Sequence, residues 1–183
     1  MIRRDFLRTG GAVALAAVLP NPARAGASAK PPLAMFDGRY SDARLFAEAA
    51  RGRGALVLDT GGDVASLWHT ARFPRDEATT MIGLTTYADL FMISELARGL
   101  NLRRGFHAMH DARGGSEVRH LPENAMFPAP DFRAAIAWPI MLADCLIGEP
   151  GRSVSLPRSG PRSADHPGTL WSWMYGPLNP QRS

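Results

Sequence analysis

One cysteine, Cys145, stands in 183 residues, and it lies in an apolar stretch. No internal disulfide can form, a Cys-x-x-Cys-His haem attachment is missing, and a single thiol cannot carry a Cys-ligated iron–sulfur cluster. A buried core thiol is the expected role, since nothing around it supports a nucleophile. Gly-x-Ser-x-Gly, Walker and dinucleotide-binding patterns are also missing. No apolar run reaches the roughly 20 residues that cross a bilayer, so a stable membrane anchor is not expected. There is no internal repeat and no low-complexity block. The net charge of +4 is concentrated at the start, where Arg3, Arg4, Arg8 and Arg24 face only Asp5; residues 26–183 carry 17 basic against 16 acidic residues, a balance of +1. Nucleic acids and anionic membranes demand clustered, uncompensated Lys and Arg, so neither is expected as a partner. Arg51/Arg53 and Arg103/Arg104 read as solvated charges at helix ends.

What is present begins with an address. Ile2-Arg3-Arg4-Asp5-Phe6-Leu7-Arg8 is followed by a short run of small apolar residues and by Ala23-Arg24-Ala25, the layout of a removable signal peptide. The arginine pair with Phe6, Leu7 and Arg8 resembles the twin-arginine (Tat) signal, Ser/Thr-Arg-Arg-x-Phe-Leu-Lys, with Ile2 in place of Ser/Thr and Arg8 in place of Lys; Gly10, Gly11 and Arg24 fit the same pattern. The resemblance implies passage through the Tat translocase, folding before export and a periplasmic location. It also implies a cofactor, or a partner that carries one, without saying which. Cleavage after Ala25 leaves 158 residues, enough for one domain with a real core.

The expected organisation is a leader at 1–25, a spacer at 26–32, an α/β domain at 33–148 and a Pro-rich tail at 149–183 that packs on the domain or on a partner. Leu33-Ala34-Met35-Phe36 is a buried-strand run halted at Asp37-Gly38. Ser41 or Asp42 can cap a helix with Ala43, Leu45, Phe46, Ala49 and Ala50 on one side, ended by Gly52 and Gly54. Ala55-Leu56-Val57-Leu58 repeats the strand and stops at Asp59-Thr60-Gly61-Gly62, after which Asp63 can cap a second helix that Pro74 breaks. Residues 79–84 form a third strand, and Thr85 or Thr86 opens a long helix closed by Gly99, with Asp89 three positions after Thr86 as in a capping box. Residues 102–110 form a fourth strand ended by Gly114-Gly115. Pro122, Pro128 and Pro130 mark a loop, and Asp131 caps a last helix through Ile147, kinked at Trp138-Pro139. In the tail, Trp171 and Trp173 share one face of an extended segment, read as a late edge strand or as a contact patch for a partner with Tyr175. The alternation predicts a mostly parallel sheet of three to four strands flanked by helices.

Ligands of such sheets bind beyond the carboxyl ends of the strands. The polar residues expected there are Asp37 with Arg39, Asp59 with Thr60 and Asp63, Thr85 with Thr86, and His110 with Asp111. Thr85 and Thr86 at a helix N-terminus suit an anion, though Thr86 is also an ordinary N-cap; Asp37 and Asp59 also suit turns that bond their own backbone. Asp59-Thr60-Gly61 resembles the signature of aspartic proteases, where paired carboxylates share a proton. That family implies a second such Asp and an all-β surrounding, whereas this segment lies between two helical patterns. On a strand, His107 and His110 point to opposite sides and cannot share one metal ion; in a loop or helix, they and His120 suit copper or zinc. His69, beside Trp68, reads as a core-edge residue.

Lacking a strong catalytic constellation, the chain reads as an exported, non-catalytic α/β binding domain for a small ligand, an anion among the candidates, or for a protein partner. The alternatives are an exported hydrolase or metal-assisted enzyme built on Asp37, Asp59, Thr85 and His110, and an accessory subunit of an exported oxidoreductase. The sequence names no cofactor.

Overall fold

The computed structural model describes residues 30–70, 79–113, 117–122, 137–147 and 159–177. The leader, Pro74, Gly114-Gly115, Pro128, Pro130 and Asp131 lie outside them. The first half follows the alternation of the sequence. Strand β1 (Leu33–Phe36), helix α1 (Ser41–Gly52), strand β2 (Leu56–Asp59), helix α2 (Val64–His69) and strand β3 (Met81–Thr85) follow in order, with β1 parallel to both other strands. β1 and β3 are short apolar runs because helices cover both of their faces. On one face α1 packs Ala43, Phe46 and Ala50 against Ala34, Ile82 and Leu84. On the other, helix α3 (Tyr87–Gly99) packs Leu90, Ile93 and Ala97 against Leu33, Met35 and Met81.

The second half departs from the expectation of three to four mostly parallel strands. Strands β4 (Arg103–Asp111), β5 (Glu117–Pro122), β6 (Ser159–Pro161) and β7 (Thr169–Gly176) join the first three in one mixed seven-stranded sheet of order β2-β1-β3-β7-β4-β5-β6. The stretch through Pro122 is therefore a strand rather than the start of a loop, and Arg103 and Arg104 open β4 rather than end a helix. The C-terminal segment is neither an edge strand nor a docked tail. β7 is the middle strand, antiparallel to β3 on one side and β4 on the other. Its successive residues serve both layers: Leu170 and Met174 join the α1 face, while Trp171, Trp173 and Tyr175 join the α3 face.

Gly83, which weakened the strand pattern of β3, is what lets β7 dock. It sits directly opposite Trp173, and a Cβ there would overlap the indole and stand 2.8 Å from the Met35 carbonyl oxygen. Helix α4 (Trp138–Ile147) begins at the Trp138-Pro139 pair instead of being kinked by it. Proline fits the first helical turn, where its missing N–H has no intrahelical partner to lose. Trp138 and Leu142 then close the α1 face of the sheet.

Candidate functional site

β1 and β3 are adjacent and parallel, yet the helices that follow them leave to opposite faces, α1 to one and α3 to the other. The two connections diverge at the carboxyl edge, the place where open α/β sheets have their ligand crevice. Asp37, at the end of β1, is fully buried on its floor. Arg39 reaches back to it with two bonds, Nε to Oδ1 at 2.8 Å and Nη2 to Oδ2 at 2.6 Å, the fork geometry that guanidinium makes with carboxylate. The pairing holds Arg39 further above its ordinary range, while half of its side chain remains exposed.

The turn after β2 closes against this pair. Asp59 accepts from the amides of Gly38 at 2.7 Å and Gly61 at 2.9 Å, so it ties the β1 and β2 ends together. Gly62, at φ 80°, passes so close to the Arg39 guanidinium that a side chain would collide with it. The Thr60 hydroxyl donates to Asp89 across 2.6 Å. Asp89 is buried, and desolvation followed by the Asp37 charge raises its pKa despite that bond. Asp63 caps α2 through the Ser66 amide and hydroxyl, which lower its pKa. Thr85 is fully buried; its hydroxyl accepts from the Trp173 indole N–H at 3.0 Å and donates to the Thr86 carbonyl. Thr86 holds the N-cap position of α3 but makes no side-chain cap bond.

Asp37, Arg39, Asp59, Thr60, Asp63, Thr85 and Thr86 therefore stand at one carboxyl edge, joined by one residue outside the expected set, Asp89. Asp89 had been explained locally, as a capping-box acid; its actual partner stands on another strand end. The crevice holds four carboxylates against one guanidinium, with the hydroxyl of Thr85 already engaged. That balance disfavours an anion and suits hydroxyl or amine donors.

His110 reaches the same edge but not the same face. It bonds Ser172, while Thr85 bonds Trp173, and neighbouring residues of β7 point to opposite sides of the sheet. On the α1 face, His110 Nδ1 meets His120 Nδ1 at 2.7 Å, His110 Nε2 meets Ser172 Oγ at 2.7 Å, and the Trp138 ring stacks 4.6 Å from His110. His166, from the β6–β7 connection, is buried and close enough to lower the pKa of both rings. Burial is the dominant cause throughout: His110 is lowered well below 6.5, His120 to about 4, and His166 is lowered too. Nε2 of His120, Nε2 of His166 and Nε1 of Trp138 are buried without a hydrogen-bond partner among the described residues. His107 points the other way and lies against Trp171, as strand alternation requires.

Among the described residues no group of three or more His, Cys, Asp or Glu is arranged to hold a metal ion, and no helix is long and apolar enough to cross a membrane. Burial pushes the Cys145 thiol up to about 12, which keeps it protonated and unreactive. Asp59-Thr60-Gly61 lies in a parallel α/β layer with Thr60 bonded to Asp89, unlike the all-β frame that its resemblance to aspartic proteases implies. Trp173 and Tyr175 are core residues; Trp171 alone is partly exposed, 5.6 Å from Tyr87 of α3. A hollow of about 280 Å³ between α2 and α3 is lined by Trp68, Glu95, Leu96, Gly99 and Leu100, away from the crevice. No protein-family model, no curated protein and no solved structure is similar enough to this chain to count as a match.

Proposed function

We propose that the chain is an exported, periplasmic, non-catalytic binding domain, sent through the Tat route by its leader, whose ligand occupies the crevice between the ends of β1 and β3. The observation that carries this reading is the Asp37–Arg39 pair. A buried carboxylate holds a half-exposed guanidinium in one orientation at a topological switch point, which is the preorganisation a binding site needs. The ligand expected is small and polar, with hydroxyl or amine groups to meet Asp59 and Asp63 and an acceptor for Arg39. Amide-shift mapping with glucose, glycerol, putrescine and acetate as separate probes tests it. Shifts confined to Gly38, Arg39, Gly61, Gly62 and Tyr87 with a hydroxylated or amine probe are expected; shifts that gather elsewhere, or that follow acetate alone, overturn it.

Asp89 favours a second reading, an exported hydrolase. A buried carboxyl of raised pKa beside an exposed cation is the kind of group that serves as a general acid. Hydrolytic turnover of a chromogenic ester or glycoside that disappears in Asp89→Asn would replace the binding reading with this one.

A further inference from the structure

The buried histidines and the crevice lie on opposite faces, but one segment touches both. The β6–β7 connection carries Asp165 and His166 side by side. Asp165 caps α1 from outside that helix: it accepts from the Ser41 amide at 2.8 Å and the Ser41 hydroxyl at 2.5 Å. It also holds Arg44 at 3.2 Å, and Arg44 in turn donates to the Gly38 carbonyl at 2.6 Å, next to the Asp37–Arg39 pair. Ser163 ties the same segment to Asp42 at 2.8 Å. One residue on, His166 is buried; it accepts from the Gly168 amide at Nδ1, so its proton sits on the unpartnered Nε2.

We propose that the His110–His120–His166 cluster is an acid-operated latch on the crevice: neutral imidazoles seat the 163–168 segment so that Asp165 caps α1 and fixes Arg44 under Gly38, and protonation unseats it. The proposal rests on the crevice being the ligand site. Its mechanism is steric and electrostatic. The 2.7 Å contact between His110 and His120 needs one ring nitrogen bare, so the pair cannot hold a proton on all four nitrogens. A charge on His166 would face those two rings and Arg162, opposed by Asp111 and Asp165. Among the described residues, Trp138 of α4 and Ser172 of β7 also meet the rings, and both are uncharged. Asp111 is already engaged by Arg113 and Arg119. Asp42, whose pKa is raised by burial, and Asp165, whose pKa is lowered despite burial by bonds from Ser41, Ser163 and Arg44, are the other titrating groups on the path and must be told apart.

The test needs no ligand. In the full-length protein, imidazole protonation and carboxyl titration are followed by NMR from pH about 7 to about 4, together with the exchange protection of the Ser41 amide and of the core Ile93 amide. Expected is a loss of Ser41 protection of at least about tenfold that tracks His166 or His120, moves the Gly38 amide resonance and spares Ile93. In His166→Gln the loss shrinks to below about twofold; in Asp165→Ala the Ser41 amide is unprotected at every pH. The latch is overturned if Ser41 stays protected while the rings protonate, if its midpoint follows Asp42 or Asp165, if Ile93 is lost in step with it, or if Gly38 does not respond. Should either variant fail to fold, the wild-type titration still decides. A crevice that binds nothing would fail the probe mapping described above and leave the Ser41 result intact, so the two failures are separable.

Discussion

Two polar clusters share one edge of one sheet and are stabilised by opposite means. On the α3 side each of four carboxylates has its donors: Arg39 for Asp37, the Gly38 and Gly61 amides for Asp59, Ser66 for Asp63 and Thr60 for Asp89. On the α1 side the groups are imidazoles among aromatic and apolar surfaces, and two of their nitrogens meet no partner among the described residues. Carboxyl groups lie where backbone amides, hydroxyls and a guanidinium bond them, whereas burial lowers the pKa of the imidazoles and favours their neutral form. Asp89 and His120, one from each side, therefore answer acid in opposite senses. Protonating Asp89 relieves repulsion, whereas protonating His120 creates a buried charge.

Acid should break this contrast most strongly. A neutral native histidine binds fewer protons than the unfolded chain, so its contribution is complete above the unfolded pKa near 6.5 and is lost as pH falls towards the folded value of about 4. His120 alone contributes on the order of 3 kcal/mol across that window, read as a falling urea midpoint that flattens in His120→Phe. Next comes the opposite side: Arg39→Met strands a buried carboxylate and should cost about 2 kcal/mol, less than a fully buried pair because the guanidinium is half-exposed. Restoring much of that stability with Arg39→Met combined with Asp37→Leu would confirm that the penalty is the orphaned charge. Thr85→Val leaves the Trp173 indole N–H without an acceptor and should cost about 1.5 kcal/mol, with blue-shifted or quenched tryptophan emission as a local signal. Smallest is Asp165→Ala, about 1 kcal/mol for a lost cap, measured by thermal unfolding at neutral pH.

The parallel half was legible because its signals are local. Apolar tetrads ending in Asp-Gly and Asp-Thr-Gly-Gly gave β1 and β2 within a residue, and Asp63 caps α2 as its position suggested. Thr86 was placed correctly as the residue before α3, but its hydroxyl does not cap. The cap of α1 comes from Asp165, 124 positions away, and no window along the chain can show that. The antiparallel half depends on such pairings throughout. One signal was present and undervalued: in β7 both alternate sets carry large apolar residues, Leu170 and Met174 about Ser172 on one and Trp171, Trp173 and Tyr175 on the other, which marks a strand covered on both faces and therefore an interior one. Nothing in the sequence set His110 on the other side from Asp37; that followed from Ser172 and Trp173 being neighbours on one strand.

The strand that joins the two halves follows both of them in the chain. Until residues 169–176 leave the ribosome, β3 and β4 each present an open row of amides and carbonyls with no neighbour to occupy it. The sheet cannot zip up progressively from its beginning; it has to wait for a keystone. Closure of the sheet thus waits on β7, and a chain stalled short of Trp173 would carry two half-sheets with open edges.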